Sequence, residues 1–410
     1  MPSSLLVALH ARPKIRLEVF IPERYGKPMQ HALLASPSLH KLDFTIFGFV
    51  YQKPCPSEFR TFKRLLGKGG GLKSLTLHVS DYGDKAPTVR PDLEEGELNF
   101  NFEPGDNFPA LEELILDCYD RYYLSAAHCD IWTTCMNWSY LKNLDLGHAT
   151  PQYLLPTLTG LVPQLKRLRF GFWRNAHRSN ASWGSSQDLK VVINFVQSIK
   201  ALEEIVLISW DDVQCTQIRP AIFTQHGDSL RTVEHDLDFR DSWNLGHFEE
   251  LREKVSGLEE LNVTIQMERV KPLPESLSRW PMSIQRTLCS LTSLQQLTLR
   301  IRLQQDTFEL VPVERSWEES TIDDNAARRI VTALYNDFGA NAAIERVTVS
   351  FLAVSPGQIV WTYKARKKWM SAGKCYIVVV ERTIENEELD KRVRNAPFDP
   401  FAIGPIEGRF

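Results

Sequence analysis

Short runs of alternating apolar and polar residues recur along most of the chain in the form L-x-x-L-x-L. They read "LHKLDFTIF" from Leu39, "LKSLTLHVS" from Leu72, "LEELILDCY" from Leu111, "LKNLDLGHA" from Leu141 and "LKRLRFGFW" from Leu165. They continue as "LEEIVLISW" from Leu202, "LRTVEHDLD" from Leu230, "LEELNVTIQ" from Leu258, "LQQLTLRIR" from Leu294 and "IERVTVSFL" from Ile344, with a weaker "KIRLEVF" ahead of them. By subtraction, successive first positions lie 24 to 50 residues apart. Alternation with period two makes each segment a short strand whose first, fourth, sixth and usually eighth residues face inward.

Between the strands the apolar spacing becomes helical. "SEFRTFKRLLGKGGG" opens on Ser57, sets Phe59, Phe62 and Leu66 on one face and stops at Gly69–Gly71. "SQDLKVVINFVQSIKAL" starts at Ser186 or Asp188 and turns Leu189, Val192, Phe195, Val196 and Ile199 inward. "WNLGHFEELREKVSGL" and "DDNAARRIVTALYNDFG" follow the same design. One strand with one helix cannot bury its apolar face alone, so such units must stack, with parallel strands inside and helices outside.

The series resembles the leucine-rich repeat over nearly the whole chain. The resemblance implies an α/β fold: a horseshoe-shaped solenoid of roughly ten to eleven units, with a parallel concave sheet and convex helices. The ninth position departs from that family, which places Asn or Cys there. Here it holds Phe47, Ser80, Tyr119, Ala149, Trp173, Trp210, Asp238, Gln266, Arg302 and Leu352. Backbone groups that an Asn ladder would serve must therefore find other partners. The unit from Leu230 also puts His235 at an apolar position. The variable repeat length, the aromatic-rich loops and the ending "GQIVWTYKARKKW…KCYIVVVERTI" look like fungal F-box and leucine-rich-repeat proteins. In that family an F-box docks a ubiquitin-ligase adaptor while the repeats choose the substrate. No F-box is recognisable here, so an adaptor is expected as a partner only if one is encoded upstream.

The expected organisation is a solenoid over 1–353, a β-hairpin cap over 354–384 made by "QIVWTYK" and "CYIVVVERT", and an extended tail over 385–410. Polar insertions at 81–109, 174–187, 268–283 and 303–322 leave the strands at one end and gather on one rim.

Composition narrows the partners. A net charge of −3 gives no global field for a polyanion, which argues against nucleic acid. No stretch reaches the ~20 apolar residues of a membrane helix. Seven cysteines without a CxxC pair point to reduced thiols in the cytoplasm or nucleus. The sequons at Asn137, Asn180 and Asn262 then read as chance matches.

Candidate sites come from the outward third, fifth and seventh positions. Asp43, Glu113, Asp117, Asp145, Glu204, Glu234, Asp236 and Glu260, interrupted by Arg167 and Arg169 and followed by Arg300 and Arg346, form either a mixed, centrally acidic surface for a partly basic partner or an ordinary solvated sheet. Phe47, Tyr119, Trp173 and Trp210 form either an interface ledge or a lid over the core. "LLGKGGGLKS" runs from helix to strand, the wrong order for a phosphate loop. Alternation separates His235 from Glu234, Asp236 and Asp238, which argues against a metal site. His128, Cys129 and Cys135 read as interior or loop residues. No nucleophile, base and orienting group fall together, and no cofactor is expected. The expected role is non-catalytic protein binding through the concave face and loop rim, extending to substrate recognition for ubiquitin ligation. The alternative is a scaffold or regulatory subunit of a stable intracellular complex.

Overall fold

The computed structural model describes residues 16–21, 36–48, 71–81, 96–97, 105–118, 122–123, 126–147, 153–171, 186–210, 212–237, 242–267, 282–303, 328, 331–332, 335, 344–352, 359–370 and 375–383. It is α/β and divides into two compact units, Met1–Leu230 and Arg231–Phe410. The hairpin expected as a separate cap lies within the second.

In the first unit seven strands pair in parallel: β1 (Leu17–Ile21), β2 (Leu39–Gly48), β3 (Ser74–Asp81), β5 (Glu113–Cys118), β7 (Asn143–Asp145), β8 (Arg167–Gly171) and β9 (Glu204–Trp210), in that order. A separate small parallel pair joins β4 (Gly96–Glu97) to β6 (Tyr122–Tyr123). Helices α1 (Ala126–Cys135), α2 (Leu154–Leu158), α3 (Ser186–Ser198) and α4 (Asp212–His226) pack each on the next. In the second unit β10 (Thr232–Leu237), β11 (Glu260–Met267), β12 (Gln296–Leu303) and β13 (Arg346–Leu352) are parallel. There α5 (Leu245–Lys254) packs on α6 (Met282–Cys289). The antiparallel strands β14 (Ile359–Met370) and β15 (Cys375–Thr383) then extend the sheet from β13. The first hairpin strand runs longer than its apolar pattern suggests, because Arg366, Lys367 and Lys368 stay in register with Val379, Val378 and Ile377.

The inward positions line up from strand to strand. Leu42, Leu75, Leu114, Leu144, Leu168 and Ile205 form one row of paired residues, and Val233, Leu261, Leu297 and Val347 form its equivalent in the second unit. All ten are buried. Each such side chain contributes roughly 1.5–3 kcal/mol by leaving water. From α3, the five residues expected to face inward are all buried, and Asp188 in its first turn complements the helix dipole. The helix over 57–71 lies outside the described residues, apart from Gly71. Of 323–339, the described Arg328, Val331, Thr332 and Tyr335 are helical.

Main-chain hydrogen bonding at the strand entries is as regular as the leucines. The second-position carbonyl of one repeat accepts two N–H groups from the next repeat. Lys73 O takes Glu112 N and Glu113 N at 2.7 and 3.0 Å, and Lys142 O takes Lys166 N and Arg167 N at 2.8 and 2.9 Å. In the second unit Arg231 O takes Glu259 N and Glu260 N at 2.8 and 2.9 Å. Forked acceptors of this kind fix the register at the point where each strand starts. At the strand exits, where the family's Asn would act, the ninth-position side chains lie outside the described residues.

Candidate interaction face

Residues that alternate with the buried rows project from the sheet face opposite the helices. In the first unit one row is Lys41, Ser74, Glu113, Asn143, Arg167 and Glu204, and the next is Asp43, Thr76, Ile115, Asp145, Arg169 and Val206. Neighbouring strands lie about 4.8 Å apart, so these side chains meet across strands.

They meet in complementary pairs. Arg167 Nε lies 3.1 Å from Glu204 Oε2 and Arg169 Nη1 lies 3.3 Å from Asp145 Oδ2, while His78 Nε2 stands 3.4 Å from Asp43 Oδ1 without a hydrogen bond to it. Asp145 Oδ1 also accepts the Gly147 N–H at 2.8 Å, which fixes the carboxylate. Glu113 is held by neutral donors: Ser74 Oγ donates to Oε2, and Asn143 Nδ2 donates to Oε1 at 2.7 Å. Three of the acids expected to confront a basic partner, Glu113, Asp145 and Glu204, are thus already engaged within the face.

In the second unit Arg300 Nη2 donates to Glu234 Oε1 at 2.7 Å. The two residues stand on β12 and β10, so the pair arches over β11, where Asn262 is the register partner of Glu234 and Thr264 that of Arg300. Thr264 is fully buried, and its Oγ1 and the Asn262 Oδ1 have no hydrogen-bond partner. Nearer the hairpin, the buried Ser350 and Thr362 hydroxyls bond each other at 3.0 Å. Arg346 Nη1 reaches Gln296 Oε1 at 3.4 Å, and Glu260 is partly exposed.

A second charged row runs beside this face at the strand entries. Glu112 sits between Lys142 at 2.8 Å and Lys73 at 3.8 Å, Lys166 meets Glu203 at 2.8 Å, and Arg231 meets Glu259 at 3.6 Å. The hydrogen bond from Lys142 is the main cause holding the Glu112 carboxyl below its usual range. This ladder is not among the candidate positions above. Its signal is nonetheless in the second letters of the repeats, where "LKS", "LEE" and "LKN" exchange Lys for Glu from one unit to the next.

Of the other candidates, Phe47, Asp117, Trp210 and Asp236 lie in β2, β5, β9 and β10, but their side chains are outside the described part, as are Tyr119 and Trp173 altogether. The aromatic ledge therefore stays an expectation. His235 fills its apolar slot as a buried acceptor: Trp243 Nε1 donates to His235 Nδ1 at 2.7 Å, and the two rings meet edge to face. It points into the core while Glu234 engages Arg300 on the opposite face, so these two do not converge on a common ligand. His128, Cys129 and Cys135 are buried on α1 around Trp132. Burial pushes the Cys129 thiol up to about 12, with the Asp130 charge adding, and holds His128 down to about 4. A thiol so shifted supplies no thiolate nucleophile at neutral pH.

Two motifs read from sequence have structural explanations. Asn137 caps the short 3-10 turn Trp138–Tyr140, its Oδ1 accepting from Ser139 N and Ser139 Oγ at 3.2 and 2.7 Å. Gly71 ends the glycine run because a Cβ there would collide with the Pro37 carbonyl oxygen. The glycine thus permits close approach of two backbones.

No protein-family model and no curated protein sequence matches the chain. Among the described residues no helix is long and apolar enough to cross a membrane.

Proposed function

We propose that the chain is a non-catalytic protein-binding module, an irregular leucine-rich-repeat solenoid that receives its partner on the sheet face opposite the helices. The observation that carries this reading is the row-by-row alignment of polar and charged side chains on that face, held by cross-strand bonds such as Arg167–Glu204 and Asn143–Glu113. Side chains ordered before contact lose little further entropy on binding, which favours a specific surface. The resemblance read from the repeats extends the role to selecting substrates for ubiquitin ligation.

A photo-crosslinking residue at Asn143 tests the face, with one at the exposed Asn194 on α3 as the opposite-side control. Discrete adducts from the open face alone are expected in a cell extract. Adducts from the helical side alone, or from neither position, sink the proposal. A ubiquitin-ligase adaptor co-purifying with the adduct supports the extension, and its consistent absence confines the chain to binding alone.

A further inference from the structure

Building on the docking role just proposed, we infer that Arg167 and Arg169 form the receiving point for an acidic protein segment that presents two separate carboxylates. The sequence pattern suggested a mixed, centrally acidic surface interrupted by Arg167 and Arg169, and exposure brings those two cations to the fore on β8. In the Arg167–Glu204 pair the arginine side chain is 63% exposed and the glutamate 35%. In the Arg169–Asp145 pair the figures are 50% and 16%. The carboxylates lie beneath and the guanidinium groups above, so an approaching partner meets cations first. Coulomb energy falls inversely with distance. Contact with a guanidinium therefore outweighs repulsion from a carboxylate lying behind it.

Each arginine is oriented but not used up. Arg167 engages Glu204 through Nε, and Arg169 engages Asp145 through Nη1. A guanidinium carries five N–H donors in a rigid fork, so each retains donors directed away from its anchor. The anchoring acids act as positioning residues that fix the rotamers before a partner arrives.

The direction of lean selects the ligand. Arg167 reaches towards β9 and Arg169 towards β7, on opposite sides of β8. Two residues along a strand and a lean of up to one strand spacing each way put the charged heads on the order of 10 Å apart. One phosphate is too small to engage both. Two carboxylates two to four residues apart in an extended segment are not, at about 3.3 Å per residue.

Fluorescence anisotropy with the full chain tests this, using labelled Gly/Ser octapeptides with Glu at the third and sixth positions. Companion peptides carry Lys at both positions or a single phosphoserine. The Glu peptide is expected to bind, to weaken as NaCl is raised, and to lose about tenfold in affinity in the R167Q/R169Q double variant. Thermal unfolding should be nearly unchanged in that variant, since both side chains are exposed. Stronger binding of the phosphoserine peptide, or binding of the Glu peptide unaltered by the double variant, overturns the assignment. Preference for the Lys peptide also overturns it while leaving the docking role standing. Failure of all three peptides to bind overturns the assignment, and the crosslinks from Asn143 then decide the docking role separately.

Discussion

At the scale of single residues, several buried polar groups of the described core are met by a partner or a backbone atom, although Thr264 Oγ1 is not. His226 is one of those met. It is buried at the end of α4, where its Nδ1 accepts the Leu202 N–H at 3.3 Å and its Nε2 donates to Val196 O at 3.0 Å. Ser229 Oγ ties the same place by donating to Leu202 O at 2.7 Å. Only the neutral ring can make both imidazole bonds. Burial lowers the His226 pKa from 6.5, with the Val196 carbonyl opposing, and burial lowers that of His128 to about 4. The unfolded chain therefore takes up these protons first, so stability declines as pH falls from about 6.5 towards 4. For a shift as large as that of His128 the loss amounts to roughly 3 kcal/mol. We expect the melting temperature to drop between pH 7 and pH 5, and to drop by less in His226→Asn, which starts from a lower value at pH 7. An identical pH dependence in both proteins would place the acid sensitivity elsewhere.

Among the elements, strands and helices differ in how plainly their sequences declare them. α3 is an open case, with Leu189, Val192, Phe195 and Val196 buried along one face at helical spacing. α4 is not evident from apolar spacing: Gln214, Arg219 and His226 occupy buried positions beside Cys215, Ile218, Ile222 and Phe223, and Pro220 interrupts the helix interior. Its periodicity is of burial rather than of hydrophobicity, and only packing reveals that. α5 depends on a local device, the capping box in which Asn244 Oδ1 accepts from His247 N and His247 Nδ1 accepts from Asn244 N. The strands are aligned by leucine rows and by the entry charges. Glu112→Lys would join Lys73, Lys142 and Lys166 in a row of four lysines on adjacent β-strand entries. It should destabilise the chain by about 1 kcal/mol in low salt, an effect that shrinks as salt screens the row. Chemical denaturation at two ionic strengths measures this, and a loss independent of salt would show that the ladder is packing rather than charge.

At the scale of the whole molecule, a stacked parallel sheet must end on something other than the bare edge of its last core strand. In the second unit that work falls to the hairpin: β14 pairs antiparallel with β13 over Arg346–Leu352, and β15 pairs with β14 over Cys375–Thr383. A chain stopped at residue 353 would leave β13 unpaired on one side beside the buried Val347 and Val349. Such a chain should aggregate on expression or elute as soluble oligomers, whereas a monomeric and fully soluble product would show that the hairpin is dispensable. The division into two units at Leu230 and Arg231 falls inside the run of repeats. No break in the L-x-x-L-x-L series announces it.

Periodicity by itself determined the strand positions, the inward rows and the hairpin, because a side chain's face follows from its place in a two-residue repeat whatever its neighbours are. The same logic kept His235 apart from Glu234. Tertiary structure decided what those rows do to one another. Spacing shows that Asp145 and Glu204 point outward. Only the register of β7, β8 and β9 shows that each lies beneath an arginine, and only coordinates show that Arg300 crosses a whole strand to reach Glu234. Charge pairing between repeats depends on distances across a sheet, and residues 24 to 66 positions apart in sequence carry no local mark of being partners.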